Sequence, residues 1–131
     1  MGKMTAIGTR FENFVRDAFR DAGWVSERLP KRGIKGEPDV YATRSSGGLI
    51  QIQCKERVRL SVGETLIELQ EALQHLDEYG IGDEVVVWKR MEKRGDTGRR
   101  TQVGDVMAII PFSQYVDLQT FYAETRERNP L

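Results

Sequence analysis

The sequence predicts an α/β fold in which a mixed β-sheet is flanked by α-helices. Two patterns predict it: apolar residues recur at helical spacing near both ends and in the middle of the chain, and runs typical of strands lie between those segments. The expected order is one helix, three strands, a second helix, two strands and a last helix. With 131 residues the chain has the length of one domain, so we expect residues 1–131 to form a single domain.

The first helix is expected over residues 8–22. Its apolar side chains recur three or four residues apart and form one face: Phe11, Phe14, Val15, Ala18, Phe19 and Ala22. We expect Thr9 to cap this helix and Glu12, three residues later, to complete a capping box. Gly23 is expected to end the helix.

Three strands are expected next, over residues 24–29, 39–43 and 49–57. A loop rich in glycine and cations, KRGIKGEP, separates the first two, and the tight turn SSGG separates the last two. Alternation divides the third strand into two faces. One face carries Ile50, Ile52 and Cys54, and the other carries Gln51, Gln53 and Lys55.

The second half of the chain continues the alternation of helix and strand. A helix is expected over residues 64–79, with an apolar stripe formed by Leu66, Leu69, Leu73 and Leu76. The run EVVVW, residues 84–88, is typical of a strand buried on both faces. Residues 89–101 are expected to form a loop or a hairpin arm, and residues 105–110 the last strand.

The final helix is expected to begin at Ser113 as its cap and to reach about Arg126, with residues 126–131 as a frayed tail. Four apolar residues recur along it at helical spacing: Tyr115, Leu118, Phe121 and Tyr122. We expect this face to pack on the sheet or on a partner subunit.

Composition excludes several classes of protein and site. Hydrophobic residues make up 39% of the chain and charged residues 31%, which is typical of a globular domain, and no apolar run is long enough to span a membrane. One cysteine and one histidine exclude an internal disulfide and a zinc site of Cys/His type. A lone cysteine also agrees with a reducing compartment.

The net charge is zero, but the charges are unevenly distributed. Residues 89–100 contain six cations against two acids, whereas residues 64–78 contain five acids and neither Lys nor Arg. We therefore expect one basic and one acidic surface, and the basic surface is the one that phosphate would contact.

Four polar residues on neighbouring elements form a pattern with chemical meaning. Glu12 lies on the first helix, Asp39 follows a proline at the start of a strand, and Gln53 and Lys55 share one face of the next strand. This arrangement resembles the PD-(D/E)xK nuclease superfamily and, within it, the small archaeal-type Holliday junction resolvases that phages also carry. The segments that carry the similarity are GTRFENFVRDAF, SERLP, GEPDV and IQIQCKER, within about the first 90 residues.

The resemblance implies a restriction-endonuclease-like fold and a metal-dependent endonuclease that resolves four-way DNA junctions by paired, symmetric phosphodiester hydrolysis. It implies Mg²⁺ as the cofactor, with Mn²⁺ as a substitute, because a metal held by carboxylates can activate water and stabilise charge on phosphate. It also implies a homodimer with two sites acting on branched DNA, in the cytoplasm of a bacterial, archaeal or phage-infected cell.

The resemblance also implies roles for single residues. Asp39 would be the central metal ligand, Glu12 a direct or water-mediated ligand, and the backbone carbonyl of Cys54 a further ligand. Lys55 would position or deprotonate the attacking water, or stabilise the developing charge. Basic residues are expected to contact DNA phosphates: Arg10, Arg28, Lys31, Arg32, Lys35, Arg57, Lys93, Arg94, Arg99 and Arg100.

Gln53 departs from the family pattern, which usually has Glu at this position. Its amide oxygen can ligate magnesium but adds no charge, so two carboxylates remain and metal affinity should fall. A nearby acid, Glu37 or Glu56, could compensate, although strand alternation points Glu56 away from Lys55. Gln53 is therefore a catalytic and metal-site candidate that could equally be an inert polar residue.

Each candidate also has a purely structural explanation. Asp39 could be a turn residue, Lys55 a solvated lysine, and Glu12 only the acid of the capping box. Two other functions therefore stay open. One is a nuclease of the same superfamily that acts on linear, nicked or flapped DNA, and the other is a nuclease-like fold that binds DNA without cutting it.

Overall fold

The structure of the chain, a computed structural model, describes residues 2–45, 48–74, 83–93, 95 and 97–129, with side chains described from residue 9 onward. Its elements in chain order are α1 (Gly2–Asp21), β1 (Val25–Arg28), β2 (Val40–Thr43), β3 (Leu49–Arg57), α2 (Val62–Gln74), β4 (Asp83–Lys93), β5 (Arg100–Gln102), β6 (Met107–Ile109) and α3 (Phe112–Arg128). Within these ranges, no helix is both long enough and apolar enough to cross a membrane.

One mixed sheet organises these elements. Strands β1, β2 and β3 pair antiparallel in sequence order, β3 and β4 pair parallel, and β4 pairs antiparallel with both β5 and β6. A parallel pair needs a crossover connection, and α2 lies in the one that joins β3 to β4. The predicted fold class, a mixed sheet flanked by helices, is confirmed.

The main core lies between α1 and one face of the sheet. Side chains from α1, β2, β3 and β4 form a buried cluster: Phe11, Val15, Val40, Ala42, Ile52 and Val85. Because neighbours along a strand point to opposite faces, Gln53 and its register partner Val86 point away from α1. Leu69 and Ala72 of α2 are buried outside the α1 cluster, as Val86 is. The predicted division of β3 into two faces is thereby confirmed.

Helix α1 begins at Gly2, well before the predicted start at residue 8. Thr9 therefore lies inside the helix, and both the predicted cap and the capping box are wrong. A threonine inside a helix costs at most about 0.7 kcal/mol relative to alanine, so its preference for caps does not decide the boundary. The predicted end is confirmed, since Gly23 has a φ of +92°. The apolar face is narrower than predicted, with Phe14 57% exposed.

The buried face of helix α2 overlaps the predicted leucine stripe but is rotated from it by about one residue. Its buried residues are Thr65, Leu69 and Ala72. Leu66 and Leu73 are only partly buried. Small side chains at two of the three buried positions permit close approach of the helix backbone. The predicted continuation over residues 75–79, including Leu76, lies outside the described residues.

Strand β4 extends to Lys93, beyond the predicted end at residue 88, and its end pairs with β5 from Met91↔Gln102 to Lys93↔Arg100. The hairpin-arm alternative for the basic segment is therefore confirmed, and the loop alternative is wrong. A strand that leaves the core can carry charged side chains on both faces, which is why its composition resembles that of a loop. Strand β6 is shorter than residues 105–110, and Arg94 is not among the described residues.

Helix α3 begins after Pro111, and no side chain in the described part of the chain caps it, so the predicted cap at Ser113 is wrong. Pro111 is the N-cap residue, with φ of −56° and ψ of 143°, and it has no N–H that would need a partner. The four predicted apolar residues of α3 are 40–64% exposed, and the helix buries none of its residues. The prediction that this face packs on the sheet is therefore wrong, whereas its contact with a partner subunit stays a prediction. The helix reaches Arg128, so no tail begins at residue 126.

Candidate active site

Asp39 is held by backbone hydrogen bonds to β3 and to Leu29, the residue after β1. Its own N–H donates to the carbonyl of Ile52 on β3 at 2.8 Å, and its carbonyl accepts from the N–H of Leu29 at 2.8 Å. The carboxylate oxygen Oδ2 accepts a third bond, also 2.8 Å, from the N–H of Cys54. The residue is 5% exposed, so its carboxylate is held in one direction inside the protein. These bonds leave Oδ1 as the carboxylate oxygen turned toward other side chains.

Gln53 lies on the same face of the sheet as Asp39. The register pairs Val40 with Ile52, and continuing it by one step places Asp39 opposite Gln53. Gln53 is 7% exposed, and its Oε1 has no hydrogen-bond partner among the described residues. A buried carbonyl oxygen without a donor costs about 1–3 kcal/mol, so its presence calls for an explanation.

Lys55 follows on the same face of β3. Burial lowers the pKa of its ammonium below 10.5, and the charges of Arg57 and Lys31 add to that effect, while the charge of Glu68 opposes it. An amine with a lowered pKa exchanges protons more readily near neutral pH than an ordinary lysine does. The side chain is half-buried rather than fully solvated, and its role in the chemistry stays a prediction.

Glu12 reaches the site from α1, and cations surround it. Its side chain is 12% exposed, and Oε1 lies 3.6 Å from Nε of Arg28 and 3.9 Å from Nζ of Lys31. Lys31 also forms an ion pair with Oδ1 of Asp39. The ammonium group of Lys31 therefore lies near both carboxylates that were predicted to hold the metal. Arg28 and Lys31, which were predicted to contact DNA, are each close to an acidic side chain in the structure.

The thiol of Cys54 points to the α1 side of β3 and is protonated at neutral pH. Burial and the nearby charge of Glu12 raise the pKa of this thiol to about 12, so it stays neutral at physiological pH. The side chain is partly buried and packs against the α1 core cluster. Only its backbone belongs to the candidate site.

The oxygen atoms at this place suit a hard divalent cation. Two carboxylates, the buried Oε1 of Gln53 and the carbonyl of Cys54 are the ligand types that magnesium prefers. Among the described residues there is no group of three or more His, Cys, Asp and Glu that could hold a metal. The set therefore has two acids and two neutral oxygens, and the unpartnered Oε1 of Gln53 is the observation that favours a cation ligand at this position.

The two acids proposed to compensate for Gln53 both make contacts of their own. Both carboxylate oxygens of Glu37 accept from the N–H of Arg32 at 3.0 Å, which closes the loop before Asp39. Glu56 forms an ion pair of 3.1 Å with Lys89, on the other face of β3 from Lys55. Each carboxylate thus has a structural role of its own.

Glu68 on α2 is an acid near the site that sequence reasoning missed. Its charge acts on Lys55, and its Oε1 lies 3.3 Å from Nζ of Lys35. The loop before Asp39 packs on the backbone of Glu68 so closely that a Cβ at Gly36 would lie 2.6 Å from the Glu68 carbonyl oxygen. No local motif marks Glu68; the only signal was that a β3–α2–β4 crossover lays α2 over one face of β3.

Further basic side chains line two cavities near the end of β3. One, of about 450 Å³, is lined by Arg57, Val58, Arg59, Lys93 and Arg100. The other, of about 560 Å³, includes Arg10, Glu56, Lys89 and Arg100 in its lining. Arg59 was not among the sequence-based candidates. Five described residues that were predicted to contact DNA line neither cavity: Arg28, Lys31, Arg32, Lys35 and Arg99.

A family model matches most of the chain. Residues 3–94 match the restriction endonuclease family Mrr_cat, a range that runs from α1 past the end of β4. Among solved structures, the chain is similar to a Holliday junction resolvase of the archaeal hyperthermophile Archaeoglobus fulgidus, with 18% sequence identity and a TM-score of 0.46. That alignment covers 75% of this chain and 84% of the other. No curated protein matches the chain.

Proposed function

The chain belongs to the restriction endonuclease family, and from this premise we propose that it is a metal-dependent endonuclease that resolves four-way DNA junctions. The observation that carries the proposal is the buried carboxylate of Asp39, which β2 and β3 hold on the same face as Gln53 and Lys55. An acid, a neutral amide oxygen and a lysine therefore share one face of the sheet, where we expect the phosphodiester to bind.

Mg²⁺, or Mn²⁺ in its place, is the cofactor that suits these donors. Asp39, Glu12, Oε1 of Gln53 and the carbonyl of Cys54 would hold it. When bound, the ion would lower the pKa of a water molecule and offset the negative charge that develops on the phosphate.

The residues of the chain supply orientation and charge to the reaction. Asp39 keeps Oδ2 on the N–H of Cys54, so its second oxygen has a fixed direction. Lys55 donates from its ammonium to the attacking water or to a phosphate oxygen, which positions the nucleophile and stabilises the developing charge. The arginines of the 450 Å³ cavity bind neighbouring phosphates and hold the strand in register.

Four-way junctions are the proposed substrate because the segments around Glu12, Asp39 and Lys55 resemble the junction resolvases. The described basic residues suit contact with the phosphate backbone, which positions a nucleic acid without reading its bases. Two symmetric cuts need two sites, so we propose a homodimer, for which the exposed apolar face of α3 offers a surface. The reducing cytoplasm is the proposed place of action.

Cleavage of a labelled synthetic four-way junction tests the proposal. The purified protein would be assayed with Mg²⁺, Mn²⁺ or EDTA, beside the matching linear duplex and the variant Asp39→Asn. Paired symmetric nicks in the junction that require metal and are lost in the variant support it. Equal cutting of the linear duplex would overturn the junction assignment, and cutting by Asp39→Asn would overturn the site.

One observation favours a second candidate, a domain that binds branched DNA without cutting it. Gln53 leaves the site with one negative charge fewer than a site with Glu there, which weakens metal binding. Retention of the junction in a gel shift, with no cleavage at any Mg²⁺ or Mn²⁺ concentration, would establish this candidate. Nicked and flapped duplexes in the same panel would reveal a nuclease with a different substrate.

A further inference from the structure

Lys31 was predicted to contact DNA, but its ammonium lies between two carboxylates. Its Nζ pairs with Oδ1 of Asp39 and is 3.9 Å from Oε1 of Glu12. The two carboxylate side chains are 7% and 12% exposed, whereas the lysine side chain is 52% exposed. The ammonium thus enters from solvent and ends between two buried acids.

The oxygen that Lys31 contacts is the one that a metal would need. The N–H of Cys54 holds Oδ2 of Asp39, which leaves Oδ1 as the oxygen turned to the site. Two buried carboxylates near each other repel, and either an ammonium or a divalent ion can relieve that repulsion. Both cations compete for the same atoms, and they cannot occupy them together.

We propose that the ammonium of Lys31 takes the place of the divalent cation in the metal-free protein, so that metal binding must displace it from Glu12 and Asp39. The inference rests on the proposed function in one respect, that these two carboxylates hold the metal. It adds that the chain carries its own competitor for the site.

The loop that carries Lys31 permits the exchange without refolding. Its base is closed by the bond from the N–H of Leu29 to the carbonyl of Asp39, and its interior by Glu37, which accepts from the N–H of Arg32. The backbone around Lys31 is therefore anchored, while the flexible four-carbon stem of the side chain can swing out.

Metal binding by Lys31→Met tests the proposal without cleavage. Titration with Mn²⁺ by calorimetry, at fixed pH and ionic strength, is expected to show roughly five- to tenfold tighter binding than in the wild type, because a competing cation is gone. Lys35→Met is the matched control, since that lysine pairs with Glu68 and should change the affinity less than about twofold. Equal or weaker binding by Lys31→Met would overturn the proposal.

A second measurement applies to the wild type and does not depend on the variant folding. Reductive methylation followed by mass spectrometry reports how accessible each lysine amine is. Ca²⁺, which occupies oxygen sites, is expected to raise the methylation rate of Lys31 several-fold and to leave that of Lys35 unchanged. An unchanged rate for Lys31 at a Ca²⁺ concentration that saturates the site would contradict displacement.

The outcomes separate this inference from the proposed function. Tighter Mn²⁺ binding by Lys31→Met in a protein that cuts no DNA keeps the inference and removes the nuclease activity. A wild type that binds metal and cuts junctions, with Lys31→Met unchanged in affinity, removes the inference alone. Absence of metal binding in both the wild type and Lys31→Met removes both.

Discussion

The carboxylate of Asp39 accepts a hydrogen bond of 2.8 Å from the backbone N–H of Cys54. This bond connects the acid on the β2 side to the strand that carries Gln53 and Lys55, so the register of two strands sets the spacing of three site residues. The acid consequently has two roles, one in the sheet and one in the chemistry, and substitution can separate them.

Asp39→Asn and Asp39→Ala are expected to differ in stability but not in activity. Asparagine keeps an oxygen that can accept from Cys54, so its fold should hold, whereas alanine leaves a buried N–H unpaired at about 1–3 kcal/mol. Both variants should lose cleavage by roughly a thousandfold, because the charged ligand is gone. Urea unfolding and junction cleavage measure the two effects, and substantial cutting by either variant would contradict the assignment of Asp39.

Gln53 is expected to show opposite effects on metal binding in two variants. Gln53→Glu adds the missing charge and should tighten Mn²⁺ binding about tenfold. Gln53→Leu removes the unpartnered Oε1, so it should weaken metal binding while leaving the metal-free protein as stable as the wild type or more so. Calorimetric titration and thermal unfolding in EDTA provide the readouts. If Gln53→Leu leaves the metal affinity unchanged, Gln53 is not a metal ligand.

We expect the partly buried ammonium of Lys55 to lower the stability of the folded protein at neutral pH. Its pKa is lowered in the folded protein, so the unfolded chain binds the proton more tightly. Stability therefore rises as the pH rises from the folded pKa toward 10.5, and the full cost is present below that window. Lys55→Met removes the cost, and we expect its Tm at about pH 7 to equal or exceed that of the wild type while cleavage is lost.

The same lowered pKa predicts a pH dependence of cleavage. If the ammonium of Lys55 is the working form, the rate falls as the pH rises through its pKa, at a pH below 10.5. Lys55→Arg, which stays charged, should be slower than the wild type but lack this decline. A wild-type rate that instead increases through the window would identify the neutral amine as a base.

Gly36 and Gly33 form a matched pair for the loop before Asp39. Both have positive φ, +80° and +82°, so alanine is strained at each by about 1–2 kcal/mol. Only at Gly36 would the new Cβ meet a neighbour among the described residues, the Glu68 carbonyl oxygen at 2.6 Å. Gly36→Ala is therefore expected to destabilise the protein by roughly 1–3 kcal/mol more than Gly33→Ala does, and to displace Asp39. Equal unfolding free energies for the two variants would contradict close packing of this loop on α2.

The hairpin of β4 and β5 is expected to bind DNA through phosphates. Neutralising Lys93, Arg94, Arg99 and Arg100 removes four charges, and two of these residues line the 450 Å³ cavity. The slope of log K against log salt should become shallower by about 0.9 for each phosphate that the protein no longer binds. Fluorescence anisotropy over a range of salt concentrations measures the slope. An unchanged slope would place the DNA elsewhere.

Much of this architecture could be predicted from local patterns. The period of two in residues 49–57 fixed which β3 side chains share a face, and the glycine after α1 marked the end of that helix because it must adopt positive φ. The sequence did not predict the element boundaries at which local preferences compete with tertiary contacts. Thr9 lies inside α1, and the charged end of β4 pairs in a hairpin, because tertiary contacts outweigh preferences worth a fraction of a kcal/mol.

The sequence by itself determined the fold class and the identity of the candidate acids and lysine, since periodicity and residue type are local properties. Only the tertiary structure decided how these groups meet. Lys31 lies eight residues from Asp39 in the chain and Glu68 lies on another element, yet both act on the site electrostatically. Coulomb interactions depend on distance in space and on burial, and neither quantity can be derived from sequence spacing once a loop and a crossover helix intervene.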